Sequence, residues 1–95
     1  MIDLKSAFDK HDKEFLEFDR VAEKLHPRPD VCAFLLLDKL VPSSEDIVSA
    51  AEHDEIFLGV DCEKLARAAT DDDIVMLTRC GVRYSEEYEC LAMFV

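Results

Sequence analysis

From Leu4 to Leu25 the chain places Leu4, Phe8, His11, Phe15, Phe18, Ala22 and Leu25 at alternating spacings of four and three residues. That spacing draws one stripe along a helix, and the residues between its members are mostly charged. The pattern predicts a long amphipathic helix from about Asp3 to Leu25. Its stripe either packs on the protein's own core or pairs across a homodimer. In the second reading Leu4, Phe8, His11, Phe15, Phe18 and Leu25 carry self-association. His11, the polar break in the stripe, would then make association respond to pH.

His26-Pro27-Arg28-Pro29 ends that helix, because the residue before a proline avoids helical geometry and proline lacks an N–H. Asp30 is placed to cap a second helix from Val31 to Leu40. The first seven residues of this helix are all apolar, which predicts burial on most sides. Pro42 stops it. Ser43 or Ser44 is then placed to cap a third helix, with Ile47, Val48 and Ala51 inward. Glu55 to Val60 alternates as a strand does. Asp61 caps a helix from Cys62 to Ala69, Thr70 caps the next, and Gly81 ends it in a left-handed conformation. Val82 to Tyr84 and Tyr88 to Val95 read as strands joined through Ser85-Glu86-Glu87. The last strand is apolar on both faces from Leu91 onward, so it belongs in the middle of a sheet or under a covering element.

The whole is an α+β domain, rich in helix, with a two- or three-stranded sheet. Residues 1–26 form a long helix or arm and residues 30–95 a compact body. From about residue 44 the order is helix, strand, helix, tight turn, helix, strand, turn, strand. With Leu65-Ala66 in the first helix of the central pair and Thr70 in its turn, this half resembles the winged-helix architecture. There the helix pair forms a helix-turn-helix and the last two strands form the wing. A three-stranded sheet with helices on one face fits the same string.

Charge changes what that resemblance implies. Residues 42–95 hold thirteen Asp or Glu and four Lys or Arg, a net of −9; residues 1–41 hold nine and seven, a net of −2; together they give −11. In a DNA-binding helix-turn-helix the start of the second helix approaches phosphates. Here that start is Asp71-Asp72-Asp73, and the turn between the last strands carries Glu86, Glu87 and Glu89. Carboxylates there repel every phosphate within a Debye length of roughly 8 Å. These six residues are therefore the expected contact set for a protein partner with a basic surface, with no direct nucleic-acid binding. The alternative is a nucleic-acid-mimicking inhibitor of a DNA- or RNA-binding protein, of the kind some phages encode. An ordinary solvated acidic face accounts for the same charges.

No catalytic, cofactor or metal motif stands out. Cys32, Cys62, Cys80 and Cys90 form no Cys-x-x-Cys pair. Cys62 starts a helix, which favours thiolate, but Asp61 and Glu63 flank it. Cys80 ends one, which opposes thiolate. His53 with Cys62, Cys80 and Cys90 has no recognised zinc spacing. His53-Asp54-Glu55 offers acid–base groups without a second positioned partner. The chain is therefore read as non-enzymatic. The N-terminus lacks the basic and apolar regions of a signal peptide, and the longest apolar run, Val31 to Leu37, is far short of the ~20 residues of a membrane span. The expected place is the cytoplasm, with no membrane contact and reduced thiols.

Overall fold

The computed structural model describes residues 1–94. Asp3 caps the first helix, α1 (Leu4–Lys10), by accepting the Ser6 N–H at 3.2 Å. Leu4, Ala7 and Phe8 turn its inner face into the core. The long helix expected to reach Leu25 is not formed. The chain leaves helical geometry at His11 (φ −108°, ψ 19°) and makes two single 3₁₀ turns, Asp12–Glu14 and Phe18–Arg20. Leu16 between them is left-handed, with φ 63°. The reason is tertiary. Folding back lets Phe18 pack against the core and buries Val21.

The second helix, α2 (Pro29–Leu40), has Pro29 at its first position, where the missing N–H costs nothing. Cys32, Ala33, Leu36 and Leu37 are buried, while Leu35 faces outward at 44% exposure, so the apolar run is not covered on all sides. The helix expected after Ser44 is replaced by β1 (Val48–Glu52). Ile47, Val48 and Ala51 suit helical spacing, but they also suit a strand, and the short turn at His53-Asp54 decides the matter. His53 takes φ 55° there, and the chain returns as β2 (Glu55–Leu58), antiparallel to β1 with a bulge between Val48 and Ala50.

Asp61 caps α3 (Cys62–Ala68) by accepting the Glu63 and Lys64 N–H groups. Thr70 and Asp73 form a reciprocal capping box at the start of α4 (Asp71–Arg79). Gly81, at φ 97°, turns the chain out of α4. Two strands follow, β3 (Arg83–Ser85) and β4 (Cys90–Phe94); Val95, expected in the last strand, lies outside the described residues.

The sheet has four antiparallel strands in the order β1-β2-β4-β3. One face, carrying Leu58, Leu91 and Met93, packs into a single core with residues of all four helices. On the other face Arg83 reaches over Ala92 to pair with Glu55 and lies on the Phe94 ring, and Tyr88 meets Phe57 edge to face. These neighbours leave Ala92 without exposure and Phe57 at 7%. The molecule is therefore an α+β domain, as expected, with a larger sheet and a shorter first helix.

Candidate interaction surfaces

The six expected contact residues fall in two groups, and α1 lies between them. At the start of α4, Asp73 is committed to the cap. It accepts the Thr70 N–H at 2.9 Å and the Thr70 hydroxyl at 3.1 Å. Asp71 pairs with Lys10 at 3.3 Å. In the β3–β4 turn, Glu86 pairs with Lys5 at 2.7 Å. One end of α1 thus neutralises part of one group, and its other end part of the other. Asp72, Glu87 and Glu89 have no ion pair among the described residues. Glu89 takes φ 50° in the turn, and its carbonyl faces the Cys62 thiol at 4.0 Å.

The six stripe residues do not share one face. Leu4 and Phe8 are buried in the chain's own core and Phe18 packs against it. Phe15 and His11 are half-buried, and Leu25 is 44% exposed. The His11 Nε2 is enclosed and has no hydrogen-bond partner among the described residues.

A network that sequence reasoning missed ties the folded-back segment to the body. The Glu14 carboxylate accepts the Arg79 Nε–H at 3.0 Å and also pairs with Arg20. Arg79 additionally donates to the Arg20 carbonyl at 3.2 Å. The Arg79 hydrogen bond, helped by the Arg20 charge, holds the Glu14 carboxyl below its ordinary range. Such partners sit 65 residues apart and carry no local signal.

The β1–β2 hairpin forms a further acidic surface. Between Lys39 and Lys64 the chain has no Lys or Arg, but it holds Glu45, Asp46, Glu52, Asp54, Glu55, Asp61 and Glu63. That gap was visible in the sequence, yet its meaning depended on β1 being a strand. β1 pairs only with β2, and all five of its residues are exposed. Beside its start lies a cavity of about 220 Å³ whose lining includes Asp38, Glu45, Asp46 and Asp61, with Lys64 the one cation. Toward the helical core an apolar hollow of about 540 Å³ is lined by Val48, Ile56, Phe34, Leu16, Met93 and Phe94, among others. The negative field extends to the β3–β4 turn, where Glu87 and then Glu52 push the Tyr88 hydroxyl above its ordinary range.

The thiols offer little nucleophilic chemistry. Cys80 is pushed up to about 12, first by burial and then by the neighbouring Cys32. Burial also raises Cys62, with Cys90 and Asp61 adding to it, and raises Cys90. All four cysteines are free. Cys32 and Cys80 are buried, whereas Cys62 and Cys90 are only half-buried. Among the described residues no group of His, Cys, Asp and Glu is arranged to hold a metal ion, and no helix is long and apolar enough to cross a membrane. His53 sits exposed at the hairpin turn. No protein-family model, curated protein or solved structure matches the chain.

Proposed function

We propose that the chain is a non-enzymatic, acidic protein–protein interaction module of the cytoplasm, and that its partner presents a basic surface. The observation that carries this reading is the placement of charge on the fold. Residues 29–94 resemble a winged helix once α2, and not the segment after Ser44, is taken as the first helix. α2, β2, α3, α4, β3 and β4 then follow in the winged-helix order, β2-β4-β3 is the corresponding sheet, and β1 is an added edge strand. In that frame α4 is the helix that would enter a groove of DNA and the β3–β4 turn is the wing. Both are acidic, and α1 spans them through Lys10 and Lys5. A surface of this kind repels phosphates and attracts Lys- and Arg-rich protein.

A nucleic-acid mimic is the second reading, favoured by carboxylates on both the α4 start and the turn. Lys5 and Lys10 count against it, because they interrupt the run of negative charge. Capture of host proteins on the immobilised chain tests both. The module reading expects basic proteins that elute with salt and are lost when Asp72 and Glu87 are reversed to Lys together with Glu52 and Asp54. Competition of the captured protein by duplex DNA would favour mimicry. Retardation of duplex DNA by the chain itself at physiological salt would overturn both. The stripe does not lie along one long helix, and self-association through it is a separate proposal. Sedimentation at pH 5.5 and pH 8 tests it, and a change of mass between them would return His11 to that role.

A further inference from the structure

We propose that β1 is a docking edge that receives an extended, basic strand from the partner, so that the sheet grows to five strands. This rests on the reading of the chain as a module for a basic partner, and it places the contact on the hairpin instead of on α4 and the β3–β4 turn.

Past the bulge between Val48 and Ala50 the edge is open from Ala50 to Glu52. Natural sheets guard such edges with bulges, lysines, prolines or a covering element. The opposite edge, β3, is covered, since α1 packs on it and Lys5 reaches the turn beyond it. β1 has no Lys and no Pro, its Ser49-Ala50-Ala51 side chains are small, and among the described residues no element covers it. A two-residue turn makes its closing pair, Glu52 with Glu55, a hydrogen-bonded one. Bonded and non-bonded pairs alternate, so Ala51 turns its N–H and C=O outward.

Charge selects the occupant. Two copies paired through β1 would bring Glu45, Asp46, Glu52 and Asp54 of each against those of the other, which excludes self-pairing at ordinary salt. A strand with Lys or Arg at alternate positions meets Glu52 on the face of the sheet that carries Glu55 and Phe57. Its intervening apolar residues face the hollow beside Val48, Ile56 and Phe34. Backbone pairing, an apolar pocket and alternating charge are then satisfied by one segment.

The test uses the full chain with three capped peptides: alternating Lys-Val, alternating Glu-Val and alternating Ser-Val. The expected result is that Lys-Val binds and slows hydrogen exchange at the Ala51 amide, and that Glu-Val does not bind. Ala51→Pro, which removes an outward N–H from an edge strand, should weaken binding at least tenfold without lowering the melting temperature by more than a few degrees. E52K/D54K should do the same while leaving the Ala51 amide free. Equal binding to folded Ala51→Pro, or protection that maps to α4 and the β3–β4 turn, overturns the docking edge and leaves the basic-partner reading standing. Ser-Val binding as tightly as Lys-Val overturns the basic partner and leaves only an open edge. No binding by any peptide overturns the proposal.

Discussion

Leu16 and Gly81 meet at one carbonyl. Both donate their N–H to the Thr78 oxygen, at 3.1 and 3.0 Å, and both are left-handed, at φ 63° and 97°. Gly81 is required for two separable reasons. An L side chain resists that φ, and a Cβ there would lie 2.8 Å from Leu16 Cδ2. Leu16 is 62% exposed and can swing away, so the backbone conformation is the larger cost. Gly81→Ala should destabilise by about 1–2 kcal/mol, seen as a melting point lower by several degrees. Adding Leu16→Ala should recover only the steric part; full recovery would remove the conformational argument. Cys80, next in the chain, sets an alkaline limit. An unfolded thiol loses its proton near 9.0, and the folded one near 12. Below the first value both states hold the proton, and no stability depends on pH. Between the two the unfolded state releases a proton that the folded state keeps, so stability falls as pH rises. Denaturant midpoints from pH 8 to pH 11 should therefore decline, and Cys80→Ala should flatten that decline. An identical slope in the variant would remove Cys80 from the account.

Among the elements, β4 has the least freedom to change. It pairs with β2 on one side and β3 on the other, and Leu91, Ala92 and Met93 are buried. Removing residues 91–95 takes away the partner of two strands and the buried side chains of Leu91 and Met93, each worth roughly 1.5–3 kcal/mol of burial, against a typical total of ~5–15 kcal/mol. The truncated chain should show no cooperative thermal transition in circular dichroism, and a retained sharp transition would refute the central role. This strand was legible because its sequence is apolar on both faces, a property that only a covered, central strand tolerates. The caps at Asp61 and Thr70 and the stop at Gly81 were legible too, since each rests on contacts within a few residues. The first helix and the hairpin were not. The four-and-three spacing from Leu4 to Leu25 is met equally by a long helix and by a short one followed by turns that send Phe18 and Val21 back to the core. The choice lies in Glu14 and Arg79, which meet only after folding. In the hairpin, Ile47, Val48 and Ala51 suit both periods, and β2 supplies the pairing that selects a strand. Of the candidate surface, the carboxylates at Asp71–Asp73 and Glu86–Glu89 were visible as charge. Their partial neutralisation by Lys10 and Lys5 was not, because those lysines were expected on a separate helical arm.

For the whole molecule the balance between its ion pairs and its net charge can be measured. The pairs Lys5–Glu86, Lys10–Asp71 and Arg67–Glu63 have side chains more than half exposed, so each contributes between nothing and about 1 kcal/mol. Salt screens these attractions, and on their account alone added salt would destabilise. Against them stand 22 carboxylates and 11 cationic side chains, a surplus of −11 held within a radius of gyration of 12.0 Å. Folding compresses that surplus, above all on the β1–β2 hairpin, where no Lys or Arg intervenes. At ~0.01 M salt the Debye length is roughly 30 Å, so every carboxylate feels every other; at ~0.15 M it is roughly 8 Å, and only near neighbours interact. The repulsion is long-ranged and the attractions are contacts, so screening removes more of the first than of the second. The melting temperature at pH 7 should therefore rise between these two sodium chloride concentrations. Glu52→Lys with Asp54→Lys cuts the negative surplus by four units, from −11 to −7, at exposed positions, and the same rise should be smaller in that variant. A melting temperature that falls with salt in the parent chain would show that the ion pairs outweigh the surplus. In that case the acidic hairpin would not be held under electrostatic tension that a basic partner could relieve.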